Sequence, residues 1–184
     1  MKAISSNDWE AVAALMQSSA SILETAGAQI IICPDNTIHQ AFEKIPKQGD
    51  TIWLHIAEEV AKEAQKQSYT KVGILGTKYL MEGPVYPQVL EKFEIRYEIP
   101  SAENRIRINT FIFDELVNGV FLNETRLFFE DQINKLKEQG CDAVVLGCTE
   151  IPLIVNPETA VLSTLDSTRI LARAALLAAL HDEK

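Results

Sequence analysis

The sequence has few of the features that mark nucleic-acid-binding or secreted proteins. Its 17 Lys and Arg side chains are outnumbered by 26 Asp and Glu, and no long basic run is present. The net charge of −9 therefore argues against nucleic acid or an anionic membrane as a partner. The three cysteines are an odd number without disulfide-rich spacing, and no basic-then-apolar leader precedes them, so we predict a cytoplasmic protein with free thiols.

Long hydrophobic runs and cofactor motifs are missing as well. The longest apolar stretch, residues 170–180, is interrupted by Arg173 and is too short to cross a bilayer. The three histidines form no cluster with cysteine or aspartate at the spacing of metal ligands, so no metal site is predicted. Gly73 and Gly76 follow a strand-like segment, but the full Gly-x-Gly-x-x-Gly fingerprint is absent, which argues against a dinucleotide cofactor.

Short apolar runs alternate with segments of helical periodicity, and this alternation predicts a parallel α/β fold. The predicted strands are 29–33, 51–56, 71–75, 95–99, 143–146 and 161–165. The predicted helices are 8–24, 39–44, 57–67, one reaching 93, 103–118, 123–139 and 169–181. No Pro/Gly/Ser-rich linker divides the chain, so any boundary between lobes is a short crossing. We expect a first α/β lobe of residues 1–68 plus 161–184 and a second α/β lobe of residues 69–160.

Two segments of the chain repeat each other without a gap. Residues 27–38 align with residues 140–151, and each copy contains a helix stop, a buried strand and a polar turn. The alignment places Asp35 opposite Cys148. Because ligands of open α/β sheets bind beyond the carboxyl ends of strands, we expect these two reactive side chains at equivalent ends of two similar halves. Inverting a stereocentre requires one acid/base group on each face, which such halves would supply.

The same turns carry groups that could hold a substrate carboxylate. Oriented N–H and hydroxyl donors are needed because removing an α-proton develops negative charge, and the candidates are Asn36, Thr37, Gly76, Thr77 and Thr149. A second interpretation stays open from spacing alone, since a buried cysteine such as Cys148 is commonly inert packing. Cys33 and Cys141 are expected to be structural.

Three motifs resemble the aspartate/glutamate racemase superfamily, particularly its aspartate racemase and broad-specificity amino-acid racemase branch. They are Asn36-Thr37-Ile38-His39, Val72-Gly73-Ile74-Leu75-Gly76-Thr77 and Leu146-Gly147-Cys148-Thr149-Glu150-Ile151, and the similarity runs along essentially the whole chain. The resemblance implies two similar doubly wound parallel-sheet lobes with a cleft between them, in a homodimer. It also implies racemisation of an amino acid by two acid/base residues, without pyridoxal phosphate or metal. The residues that match the family's catalytic or substrate-holding positions are Cys148, Asn36, Thr37, Gly76, Thr77 and Thr149.

The sequence departs from the family pattern in two places. Asp35 stands where aspartate racemases have a second cysteine, which excludes symmetric two-thiol chemistry. A carboxylate could be the opposing base if burial raises its pKa, and together with Cys148 it would share one proton. The family also has a further amino-terminal segment containing a first strand, so we expect the first lobe to lack that strand.

Three functions remain open. The first is an amino-acid racemase, for aspartate, glutamate or a broad range of substrates, in which Cys148 and Asp35 act on opposite faces of the α-carbon. The second is a decarboxylase that uses Cys148 alone as a proton donor, and the third is a catalytically silent amino-acid-binding or assembly protein. Arg105 and Arg107 are candidates for recognising a side-chain carboxylate, or else exposed helix surface. Glu150 could tune Cys148 or face solvent, and His39 is given a minor role at the loop.

Overall fold

The strands form two parallel sheets in the computed structural model, which describes residues 2–46 and 50–181. The strands are β1 (Ile30–Ile32), β2 (Ile52–Leu54), β3 (Lys71–Leu75), β4 (Arg96–Glu98), β5 (Ala143–Leu146) and β6 (Ser163–Asp166). β1 pairs with β2, and the second sheet has the order β4-β3-β5-β6. All pairings are parallel, so the predicted parallel α/β class is confirmed.

Helices connect the strands. They are α1 (Lys2–Ser5), α2 (Trp9–Thr25), α3 (Ile56–Lys66), α4 (Lys78–Met81), α5 (Val85–Lys92), α6 (Ala102–Thr110), α7 (Asn123–Glu138) and α8 (Ser167–His181). Asp8 caps α2 as its sequence predicts, because its carboxylate accepts a hydrogen bond of 3.0 Å from Ala11 N–H. The predicted helix reaching residue 93 is instead divided into α4 and α5, because Pro84 lacks the N–H that would continue the first helix.

Two predicted helices differ from the observed ones in their winding. The segment Thr37–Lys44 is a 3-10 helix, which starts directly at the turn after β1. The predicted helix 103–118 begins as α6, widens to a π-helix over Phe111–Glu115, and closes with a 3-10 turn over Leu116–Asn118. Gly119 ends it with φ of +73°, a left-handed conformation that glycine adopts without strain.

The main core lies at the four-stranded sheet. All four residues of β5 are buried, as are Val72 to Leu75 of β3, as expected for central strands covered on both faces. At Gly73 an added Cβ would lie 2.7 Å from Leu136 Cδ1, so a side chain at this position would have to displace Leu136 of α7. A smaller apolar cluster joins α2 to the 3-10 helix through Val12, Ala13, Met16, Ala41, Phe42 and Ile45.

The last part of the chain connects the two sheets. The strand β6 pairs with β5, so the short segment Ser163–Asp166 completes its backbone hydrogen bonds on the open edge of the four-stranded sheet. The helix α8 contacts β1, β2 and α3. The division into a lobe of residues 1–68 plus 161–184 and a lobe of residues 69–160 stays a prediction. Among the residues described, no helix is long and apolar enough to span a bilayer.

Candidate active site

A cavity of about 190 Å³ lies beyond the carboxyl ends of β1, β3 and β5. Its lining residues are Ile4, Pro34, Asp35, Asn36, Thr37, Thr77, Tyr79, Ile112, Phe113, Val117, Gly147, Cys148, Thr149 and Glu150. The turns after all three strands therefore meet at one place, as the rule for strand ends in α/β sheets requires. Six of the seven predicted site residues line this cavity, and Gly76 does not.

Asp35 lies at the tip of the turn after β1. Its carboxylate accepts a hydrogen bond of 3.2 Å from Ile38 N–H, which holds the start of the 3-10 helix. The side chain is exposed and not buried, so its candidacy as a base rests on its place in the cavity lining with Cys148 and not on burial. The exposure follows from the position of Asp35 at a turn tip beside Pro34, which is exposed too.

His39 fixes the backbone of this turn. Its Nδ1 lies 2.7 Å from the Asp35 carbonyl oxygen, and its Nε2 accepts a hydrogen bond of 3.2 Å from Ile56 N–H. A carbonyl can only accept, so Nδ1 carries the proton and the ring is neutral. Burial lowers the pKa of His39, which agrees with this neutral form. The residue has a larger structural role than the sequence indicates, because it joins the Asp35 turn to the start of α3.

Asn36 belongs to a buried hydrogen-bond network. Tyr86 donates its hydroxyl to Asn36 Oδ1 at 2.7 Å, and Asn36 Nδ2 donates to Ser167 Oγ at 2.9 Å. Ser167 in turn donates to the carbonyl oxygen of Leu146 at 2.9 Å. The network connects the turn after β1 to the last residue of β5, two positions before Cys148. Asn36 is thus 3% exposed, and its side-chain amide is engaged with protein groups.

The turn after β3 contributes a hydroxyl and a close backbone contact. Thr37 Oγ1 and Thr77 Oγ1 lie 3.0 Å apart, and Leu80 N–H donates to Thr77 Oγ1 at 3.2 Å. At Gly76 an added Cβ would lie 3.1 Å from the Gly147 carbonyl oxygen, so the ends of β3 and β5 nearly touch. Gly76 is buried at this contact, which explains why the predicted substrate-binding position does not reach the cavity.

Cys148 and Glu150 form a hydrogen-bonded pair in the cavity wall. Cys148 Sγ donates to Glu150 Oε2 at 2.9 Å. Burial raises the pKa of the Cys148 thiol to about 12, and the hydrogen bond to Glu150 and the charges of Glu150 and Asp35 also raise it. Burial acts to raise the pKa of Glu150, but hydrogen bonds from Cys148 and Thr149 outweigh it and leave that pKa below its ordinary value. At neutral pH the pair is a protonated thiol beside a carboxylate.

The two arginines predicted to recognise a side-chain carboxylate are bound elsewhere. Arg105 Nε lies 3.0 Å from Glu82 Oε1, and its Nη1 donates to the Pro100 carbonyl oxygen at 2.7 Å. The Arg107 guanidinium lies 4.3 Å from the ring centre of Phe128, in a cation–π contact. Neither side chain lines the cavity. Within residues 2–46 and 50–181, no group of three or more His, Cys, Asp or Glu side chains is placed to hold a metal ion.

Sequence reasoning misses Tyr86, Ser167, Tyr79 and the apolar lining residues. Ser167 carries a signal only as a helix cap in Asp166-Ser167-Thr168, and nothing in the sequence around Tyr86 distinguishes it from core. Their partners are distant in sequence: Tyr86 and Asn36 are 50 positions apart, and Asn36 and Ser167 are 131 positions apart. Local patterns carry no information about such pairs.

Two known proteins with similar sequences are named as amino-acid racemases. Glutamate racemase 3 of Caldanaerobacter subterraneus subsp. tengcongensis is 27% identical over 154 residues, covering 80% of this chain and 52% of that protein. The broad-specificity amino-acid racemase RacX of Bacillus subtilis is 24% identical over 151 residues, covering 82% of this chain and 65% of RacX. The chain thus spans between about half and two-thirds of the length of these relatives.

Solved structures agree with these relatives. A proposed Asp/Glu racemase of Yersinia pestis is 34% identical, with a TM-score of 0.89 over 97% of this chain and 78% of that one. An aspartate racemase homologue of Pyrococcus horikoshii is 29% identical, with a TM-score of 0.84 over 95% and 76% of the two chains. The sequence profile of the Asp/Glu/hydantoin racemase family matches residues 2–175. With its strand-end cavity and this match, the chain belongs to the Asp/Glu/hydantoin racemase family.

Proposed function

We propose that this protein racemises an amino acid without a cofactor, with Asp35 and Cys148 acting on opposite faces of the substrate α-carbon. The observation that carries the proposal is that the Cys148 thiol and the Asp35 carboxyl group, each following a different strand, line one cavity. In this proposal the two sheets belong to two lobes, and the cavity is the cleft between them.

The proton moves as follows. Asp35 takes the α-proton from one face, and the Cys148 thiol delivers its proton to the other face, giving the opposite enantiomer. The site is left with a protonated Asp35 and a Cys148 thiolate, and it returns to its starting state when Asp35 releases its proton to water and the thiolate takes one up. Exposure of Asp35 supports this exchange with water. The reverse reaction uses the same groups from the opposite protonation state.

Hydroxyl groups are the candidates for holding the substrate carboxylate. Thr37, Thr77 and Thr149 line the cavity beside the reacting groups, and hydrogen bonds from them would stabilise the charge that develops when the α-proton leaves. Glu150 has a positioning role, since it accepts the hydrogen bond of the thiol at 2.9 Å. Asn36 acts through the turn, because its side chain is bound to Tyr86 and Ser167.

The test is incorporation of deuterium at the α-carbon in heavy water. We expect both enantiomers of a substrate to gain deuterium, and we expect Cys148→Ser and Asp35→Asn each to abolish inversion. Cys141→Ala is the matched control, since Cys141 is buried two residues before β5 and lies outside the cavity. No exchange with a broad panel of L- and D-amino acids, or full activity in Cys148→Ser, would refute the proposal.

A decarboxylase that protonates one face is the second candidate. The raised pKa of Cys148 favours it, because a thiol that stays protonated suits a one-way proton donor. It predicts carbon dioxide release from disubstituted malonates, without α-proton exchange of amino acids. If neither reaction occurs, the third function, a silent amino-acid-binding protein, is the one left. The homodimer stays a prediction from the family resemblance. Analytical ultracentrifugation would measure the oligomeric state.

A further inference from the structure

The cavity has an apolar wall that comes from outside the strand-end turns. Ile4 belongs to α1, while Ile112, Phe113 and Val117 lie in the π-helix and the 3-10 turn that follow α6. Ile112 is buried and Val117 is half exposed, so this wall runs from a fixed base to the rim. The π-helix over Phe111–Glu115 supplies two of these side chains. Such widened turns recur at functional sites, because the extra residue redirects neighbouring side chains.

The charges at the cavity are all of one sign. Asp35 and Glu150 are the ionisable acids among the lining residues, and no Lys, Arg or His lines the cavity within the part of the chain described. The cation nearest in sequence to the turn after β3, Lys78, has its Nζ 4.0 Å from Glu82 Oε2. Arg105 is held by the same glutamate. A substrate with a carboxylate in its side chain would therefore meet like charge without a partner.

A neutral amino acid matches both parts of this cavity. Its ammonium group would be stabilised by the negative charges of Asp35 and Glu150, and its α-carboxylate by the threonine hydroxyls. An apolar side chain would then remove the wall of Ile4, Ile112 and Phe113 from water. The volume of about 190 Å³ lies below the range of drug-sized sites, roughly 300–1,000 Å³, and suits a ligand of one amino acid.

We propose that the substrate is a neutral amino acid with an apolar side chain, and that aspartate and glutamate are poor substrates. This proposal rests on the proposed racemase function and names its substrate class. Val117, at the exposed rim of the wall, is the position at which a cation would change that preference.

The experiment measures α-deuterium incorporation for each of leucine, methionine, phenylalanine, aspartate and glutamate, offered singly. We expect kcat/KM for the best apolar amino acid to exceed that for aspartate by roughly 10- to 200-fold, the discrimination that pocket contacts give. Faster exchange of aspartate or glutamate would overturn the substrate class and leave racemisation standing. No exchange with any of them would refute racemisation itself.

A charge variant and a binding measurement complete the test. We expect Val117→Arg to lower the ratio of leucine to aspartate kcat/KM by about tenfold or more, whereas Val120→Arg, an exposed position outside the cavity, leaves it unchanged. Equal ratios in both variants would contradict the proposed wall. Thermal unfolding with millimolar leucine or aspartate reports binding without turnover. Stabilisation by leucine alone supports the substrate class even if turnover fails, and stabilisation by aspartate alone overturns it.

Discussion

Replacing Tyr86 with phenylalanine tests the buried network that joins the two candidate catalytic turns. The Tyr86 hydroxyl donates to Asn36 Oδ1 at 2.7 Å, Tyr86 is fully buried, and Asn36 is 3% exposed. Tyr86→Phe keeps the ring, so no large cavity forms, but it leaves the Asn36 carbonyl oxygen without this donor. An unsatisfied buried acceptor costs about 1–3 kcal/mol, which is the expected loss in unfolding free energy.

Urea unfolding of Tyr86→Phe and of a matched control measures this loss. Tyr97→Phe is the control, because Tyr97 is 39% exposed, and its expected change is within about 0.5 kcal/mol. Since the same hydrogen bond holds the Asp35 turn, Tyr86→Phe should also lower kcat for deuterium exchange more than it changes KM. Ser167→Ala removes the next links, and its effect should be non-additive with Tyr86→Phe, because both act through Asn36.

The network account is refuted by a clear result. If Tyr86→Phe unfolds at the same urea concentration as the wild type and exchanges deuterium at the same rate, the hydrogen bond contributes neither stability nor positioning. If Tyr86→Phe and Ser167→Ala are additive in both measurements, the two do not act through one shared residue.

Three further predictions concern charge and close packing. Glu150→Gln should lower the pKa of the Cys148 thiol from about 12, so alkylation of Cys148, measured by mass spectrometry, should begin at lower pH. An unchanged pH profile would contradict the hydrogen-bonded pair of Cys148 and Glu150. Burial first, then the neighbouring charges, lower the pKa of His55 from 6.5 to about 3. The folded state holds His55 neutral, so its contribution to stability is complete above the ordinary pKa of 6.5 and is lost as the pH falls toward 3. Between pH 7 and 5 the unfolding free energy of the wild type should therefore fall by about 2 kcal/mol more than that of His55→Leu. Gly147→Ala should destabilise the fold by about 1–3 kcal/mol, since the added Cβ would lie 3.0 Å from the Leu75 carbonyl oxygen; wild-type stability in urea would show that the strand ends can separate.

The sequence predicts best the strands and helices whose bounds are determined by their own residues. β3 and β5 have their predicted bounds, because each is an apolar run bounded by polar residues or glycine and buried on both faces. The division between α4 and α5 has a local signal in Pro84, which lacks the N–H of a continuing helix, although the sequence-based prediction runs one helix to residue 93. The π-helix over Phe111–Glu115 carries no comparable local signal, since its winding depends on packing.

Some features of the candidate site are likewise predictable from local sequence, and others are not. The repeat placed Asp35 and Cys148 at equivalent strand ends, and both side chains do line one cavity. The charge balance of that cavity was not predictable, because Arg105 is held by Glu82 and Arg107 by Phe128, contacts that only the fold creates. The role of Asn36 was likewise hidden, since its partner Ser167 is 131 residues away.

Deuterium exchange of each enantiomer separately, with Cys148→Ala and Asp35→Ala, measures whether the two residues act on opposite faces of the α-carbon. If the two residues act on opposite faces, Cys148→Ala should still exchange the α-proton of the one enantiomer that faces Asp35, and neither variant should invert it. The wild type should place deuterium in both enantiomers. Inversion that persists in either single variant would show that one residue serves both faces, and would contradict the two-base account.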